Sequence, residues 1–140
     1  MSQIEHARIV VVGGDSYFAY LIRRFLGIAS HDMILADLGD DVGALAAQNH
    51  SAAVVLEVIP RESAGWKILR DLKTCPETTK IPIILCSWTD EKQRSLDEGA
   101  DVFLSMPILY EDFGAALEAV GISAGLDPAD TGDGSRGGDI

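Results

Sequence analysis

Glu57 is the first residue whose position suggests chemistry. It closes the run Val54-Val55-Leu56-Glu57 and is followed by Val58-Ile59-Pro60. Apolar β-branched runs of this length form buried strands, so this carboxylate stands where a strand leaves its sheet. Such a group is either solvated at the edge or held there for a purpose. Comparable strand-end positions are Gly13, Gly14 and Asp15 after RIVVV, Ser87 and Trp88 after IPIILC, and Met106 after VFLS. Gly13-Gly14 has the place of a phosphate cradle, but the full G-x-G-x-x-G is absent and a tight turn is the better reading. His6, His31 and His50 fall on expected loops and ends. They are read as solvated, giving neither a metal site nor a triad with Ser87 and Asp15. Cys75 and Cys86 lack zinc spacing. Cys86, inside an apolar run, reads as a buried small residue rather than a redox thiol.

The elements that must position these residues alternate between two periods. Arg8–Val12 is continuously apolar after its first residue and reads as a strand buried on both faces. Asp15 then reads as a helix N-cap. Phe18, Leu21, Ile22 and Phe25 share one face of that helix, Arg23 and Arg24 point to solvent, and Gly27 suits its C-terminal end. Met33–Ala36 is a second strand, and Asp40 and Asp41 can open a second helix with Val42, Leu45 and Ala46 inward. Ala53–Glu57 is the third strand. A helix from about Gly65 turns Ile68, Leu69 and Leu72 inward, and Ile81–Ser87 is the fourth strand. The segment after it holds one large apolar residue, Leu96, and predicts a weakly anchored helix capped by Thr89 or Asp90. Val102–Leu104 is the fifth strand, and the last helix presents Phe113, Leu117 and Val120. Five strands alternating with five helices predict an α/β fold with a parallel sheet and right-handed crossovers. In such sheets sites form at the carboxyl ends of the strands.

The chain has 140 residues, enough for one domain with a real core. Its net charge of −11 disfavours nucleic acid and anionic membrane surfaces as partners. MSQIEHAR has no signal-peptide h-region, and no apolar run nears the roughly 18 residues of a membrane span. The expectation is a soluble, cytoplasmic protein in a reducing compartment. Residues 123–140 contain Gly, Asp, Ser and Pro without apolar periodicity. They are expected to form a disordered acidic tail behind a domain spanning 1–122.

The order RIVVVGGD, VVLEVIP with Gly65 eight residues after Glu57, KIPIILCSW and GADVFLSMP resembles a response-regulator receiver domain. The resemblance runs from about Arg8 to Val120. It implies a flavodoxin-like sheet of strand order 2-1-3-4-5 with helices on both faces. It also implies phosphoryl transfer to an aspartate closing the third strand. An acidic pair after the first strand holds Mg²⁺, a Ser or Thr closes the fourth strand, and a Lys before a Pro closes the fifth.

This chain departs at nearly all of those positions. The acidic pair aligns with Gly13 and Gly14, with Asp15 one position later; the phosphoacceptor position is Glu57, and the Lys position is Met106. Ser87 keeps its chemistry, and Trp88 is expected to cover the pocket. Mg²⁺ demands oxygen ligands in octahedral geometry, so losing two carboxylates nearly abolishes its binding. Losing the Lys removes a charge contact of roughly 1.5–3 kcal/mol. The extra methylene of Glu57 displaces the acceptor by about 1 Å, on the order of a hundredfold in rate. The expectation is a pseudo-receiver: no enzyme, no cofactor, no metal, and signalling through protein contacts. Glu57 either imitates a phosphorylated aspartate or bonds Ser87 or nearby backbone amides. The resemblance places the partner face on Thr89–Glu98, Phe103 and Tyr110–Val120, for a kinase-type protein, an output domain or a second copy. It also implies a switch role for Phe103, for which inward burial is expected, and a cis Met106-Pro107 bond. Two other readings stay open: an active receiver using Asp15 with Glu57 around a metal, and a small-ligand module with a nucleotide or flavin over Gly13-Gly14.

Overall fold

The computed structural model describes residues 4–13, 16–59 and 64–125. Five strands form one parallel sheet: β1 (Arg8–Val12), β2 (Asp32–Ala36), β3 (Ala53–Glu57), β4 (Ile83–Ser87) and β5 (Val102–Ser105). Their order is β2-β1-β3-β4-β5, the order that the family resemblance implies. Five helices connect and follow them: α1 (Ser16–Ile28), α2 (Val42–Gln48), α3 (Ala64–Thr74), α4 (Lys92–Asp97) and α5 (Tyr110–Ala119).

Alternation along the strands sorts the core into two layers. Ile9 and Val11 of β1, Val55 of β3, and Ile84 and Cys86 of β4 pack with Phe18, Ile22, Phe113 and Leu117 of α1 and α5. Val10, Val12, Val54, Leu56, Ile83 and Leu85 pack with Val42, Ala46, Trp66, Leu69 and Leu72 of α2 and α3. The three inner strands are therefore apolar on both faces, and β3 and β4 are buried along their whole length. The edge strands β2 and β5 are only partly covered.

Local boundaries depart from the sequence reading where caps decide. Asp41 is the N-cap of α2, accepting from Ala44 N at 3.0 Å. α1 passes Gly27 and ends at Ile28, and Ser30 takes the left-handed conformation that ends the turn, with φ 67°. α4 begins after Glu91, not Thr89 or Asp90; Asp90 Oδ1 instead accepts from Lys92 N at 3.2 Å. Pro82 stands outside the strand, so β4 opens at Ile83 rather than Ile81.

One histidine is not solvated. His31 is buried, its Nδ1 accepting from Ala7 N at 2.9 Å and its Nε2 lying 2.6 Å from the carbonyl oxygen of Ser123. With Nδ1 accepting, the proton sits on Nε2 and donates to Ser123. Ile4 and Ile122 form an isolated parallel bridge, and Ser123 N donates to Ile4 O at 2.8 Å. Packing thus continues past the expected boundary at residue 122, with Ala124 buried. Of the expected tail, 126–140 lies outside the described residues.

Candidate functional site

The carboxyl ends of β1, β3, β4 and β5 meet at one edge of the sheet, and there the strand-end residues gather. Glu57 is 5% exposed, so it is not a solvated edge carboxylate. It pairs in register with Cys86 of β4. Alternation directs it to the α1 side, as for Val55. Its Oε1 lies 3.1 Å from where a Cβ on Gly13 would stand, and Phe18 Cδ2 only 2.7 Å from that point. The glycine is required here because the Phe18 ring and the Glu57 carboxylate occupy the space of a side chain. That crowding also makes it a packing glycine rather than an open cradle for a phosphate.

Burial, with the negative Glu57 beside it as a second cause, pushes the Cys86 thiol far up. A thiol held protonated is a poor nucleophile, in keeping with Cys86 as core. Ser87 is fully buried. Its Oγ accepts from Thr89 N at 3.3 Å and lies 3.3 Å from Thr89 Oγ1, which in turn donates to Glu91 Oε2 at 2.9 Å. With the Thr89 proton directed at Glu91, the Ser87 hydroxyl donates to Thr89. The hydroxyl is thus engaged by its own loop.

Met106 is buried in the α1–α5 layer, among Phe18, Cys86 and Ile108. The Met106-Pro107 bond is cis, and Met106 N donates to Ser87 O at 2.8 Å. Trp88 contradicts its expected role: it is 58% exposed and does not cover the pocket. The strand ends at Ser87, and the following bend turns the indole outward. Phe103 also departs from expectation. It is half-buried against the α3-side layer, because β5 is an edge strand with no neighbour beyond it. It lines a cleft of about 390 Å³ between β5 and α5, with Leu104, Asp112 and Ala115. Tyr110 leans inward, its ring 5.5 Å from Phe25, and burial raises the pKa of its phenol. Gly14, Asp15 and Pro60 lie outside the described residues.

The described residues at this edge do not fit a hard divalent cation. Mg²⁺ needs several oxygen ligands in near-ideal octahedral geometry. Gly13 offers none from a side chain, Met106 offers a thioether in an apolar layer, and Glu57 stands as one carboxylate. Among the described residues no group of three His, Cys, Asp or Glu could hold a metal. Nor is any described helix long and apolar enough to cross a membrane.

Sequence reasoning passed over one contact. Arg94 of α4 lies over Trp66 of α3, its guanidinium carbon 3.9 Å from the ring centroid. The spacing of Trp66 to Leu69 and Leu72 marks Trp66 as inward. Nothing local couples it to Arg94.

A doubly wound sheet whose buried carboxylate, hydroxyl and cis-proline turn share one carboxyl edge defines a flavodoxin-like module with its site at the strand ends. No family model matches the chain. It is 31% identical over 116 residues to the response regulator MprA of Mycobacterium sp. (strain KMS), covering 81% of this chain and 50% of that protein. It is 26% identical over 117 residues to PilH of Pseudomonas aeruginosa, covering 81% of this chain and 97% of PilH. The chain spans about half the length of the MprA relatives it matches. Among solved structures, chemotaxis protein CheY4 of Vibrio cholerae superimposes with a TM-score of 0.72 at 18% identity, over 82% of this chain and 98% of that one. The N-terminal domain of the nisin resistance regulator NsrR gives 0.66 at 22% identity, over 81% and 97%. In sequence and in fold the chain is similar to response-regulator receiver domains.

Proposed function

We propose that this chain is a pseudo-receiver, a two-component or phosphorelay signalling module that acts through protein–protein contacts without aspartyl phosphorylation. The carrying observation is the packing at Gly13. Where the family holds an acidic side chain, an added Cβ would stand 2.7 Å from Phe18 and 3.1 Å from Glu57 Oε1. The charge of a transferring phosphoryl group needs cationic neutralisation, and the Lys position carries buried Met106 instead. In this reading the module is not an enzyme, needs no cofactor, works in the cytoplasm, and meets a kinase-type or output-domain protein. Glu57 supplies a standing negative charge at the acceptor position, while Ser87 stays with Thr89.

The test is a ¹H–¹⁵N titration with beryllofluoride and Mg²⁺, and with acetyl phosphate. No saturable shift is expected at Gly13, Glu57 or Ser87. A saturable response, or a phosphate found on Glu57 by mass spectrometry, overturns the reading.

A further inference from the structure

β2 is an edge strand, with β1 on one side and no strand on the other. Its register with β1 runs unbroken from Asp32 to Ala36. Asp32 N donates to Ala7 O at 2.9 Å, and Ala52 N donates to Arg8 O on the far side of β1. Bonds of a parallel ladder fall on alternate residues, so Asp32, Ile34 and Ala36 turn their backbone groups to β1. Met33 and Leu35 therefore point their N–H and C=O groups away from the sheet, and among the described residues these groups have no partner. The open stretch closes at its carboxyl end, where Asp37 N donates to Asp40 Oδ2 at 2.8 Å.

Natural edge strands are usually blunted by lysine, proline, a bulge or a cover. Asp32–Ala36 carries no lysine and no proline, and its register has no bulge. Met33 packs with the α1–α5 layer, Ile34 packs with the α2–α3 layer, and Leu35 is 48% exposed. An added strand thus finds apolar neighbours on both faces. Exposed carboxylates flank the stretch, Asp32 at one end and Asp37 and Asp40 at the other. Among the described residues Asp32 alone of these three has an ion-pair partner, the exposed His6.

Those charges choose the occupant. A second copy paired antiparallel, with Met33 opposite Leu35, brings Asp32 of each copy beside Asp37 of the other, and each chain carries −11. Residues 126–140 hold Asp127, Asp130, Asp133 and Asp139 against a single Arg136, so the chain's own end is equally mismatched. We infer that the outer edge of β2 takes an extended segment of a partner protein, apolar and β-branched at its centre, with lysine or arginine at both ends. Its backbone bonds the outward groups of Met33 and Leu35, its side chains extend the layers at Leu35 and Ile34, and its cations meet Asp32, Asp37 and Asp40. Cations at both ends serve a strand running in either direction. The inference rests on the reading of the chain as a protein-docking module and places one contact on the β2 edge, across the sheet from β5.

Amide exchange on the ¹⁵N-labelled full chain tests the open edge. Met33 and Leu35 should exchange at least about tenfold faster than Ile34 and Ala36. Protection of Met33 and Leu35 in the free chain, by its own ends or by a second copy at high concentration, overturns the inference. The binding probe is a capped seven-residue peptide of alternating valine and threonine with a lysine at each end, titrated to millimolar concentration. It should shift the Met33 and Leu35 amides and protect them. The same peptide N-methylated along its backbone should not bind, and one ending in glutamates should bind about tenfold more weakly. Leu35→Lys keeps the ladder with β1 and should weaken binding about tenfold. Leu35→Pro removes one outward N–H and should abolish binding. Circular dichroism checks that each variant folds, and Leu35→Lys, at an exposed site, carries the test where Leu35→Pro does not fold. No saturable shift at 33–36, equal binding of the N-methylated or the glutamate peptide, or undiminished binding by Leu35→Lys each overturns the inference. The beryllofluoride titration reads Gly13, Glu57 and Ser87, so failure of one reading is distinguishable from failure of the other.

Discussion

Arg94 of α4 stacks on Trp66 of α3 with 3.9 Å between its guanidinium carbon and the ring centroid. The helix has six residues, buries only Ser95 and leaves Leu96 41% exposed. A helix with so little apolar contact needs another hold. Arg94 Nε also donates to Glu98 Oε2 at 2.9 Å, and Arg70 of α3 donates to Glu98 Oε1 at 3.1 Å. Replacing Arg94 with Ala should cost about 1 kcal/mol in urea unfolding. Amide exchange should rise in 92–97 and stay unchanged in β1 and β3. Equal protection of α4 in the variant would contradict this role.

Glu98 should titrate low. The hydrogen bond from Arg94, followed by the one from Arg70, holds its carboxyl below the usual glutamate range. A lowered folded-state pKa stabilises above the unfolded pKa and loses that contribution as pH falls through the folded one. The pair is partly solvated, so its effect is modest. Carboxyl NMR should place Glu98 below the other glutamates, and Glu98→Gln should flatten the acid limb of the stability curve.

The two thiols should react differently. Cys75 is partly exposed, and Cys86 is fully buried with its thiol pushed up by burial and by Glu57. A thiol reagent at pH 8 should label Cys75 quickly and Cys86 only at the rate of opening. Rapid double labelling of the native chain would show that the β3–β4 edge is open.

Gly13→Ala should destabilise by about 1–3 kcal/mol, because the methyl group meets Phe18 at 2.7 Å in a packed layer. Thermal unfolding measures the loss. An unchanged midpoint would mean that Phe18 moves freely.

His31→Ala should leave Ala7 N without its acceptor and Ser123 O without its donor, at about 1–3 kcal/mol. Limited proteolysis should then cut near Ser123, whereas the native chain should resist. No change in cleavage would assign the hold to the Ile4–Ile122 bridge alone.

Period and strand ends made the fold legible. The bounds of β1 and β3 match the sequence reading, and the inner strands are apolar on both faces, as helix-covered parallel strands must be. The strand order came from resemblance, since pairing leaves no local mark. Glu57, Ser87 and Met106 were legible as a group because all strands of a parallel sheet send their carboxyl ends to one edge. The orientation of Trp88 was not, since a bend after Ser87 decides it. His31 reads as a loop histidine because its partners lie 24 and 92 residues away along the chain. Arg94 likewise looks like one charge on a solvated helix until α3 brings Trp66 beneath it.

The bridge between Ile4 and Ile122 has a practical consequence. Where entry and exit of a domain are neighbours, a few glycines and serines can join them and the chain can be opened elsewhere. New ends in the turn at 37–40, between β2 and α2, would leave the inner strands untouched, making this module a ready insert for sensors in which two reporters must sit side by side.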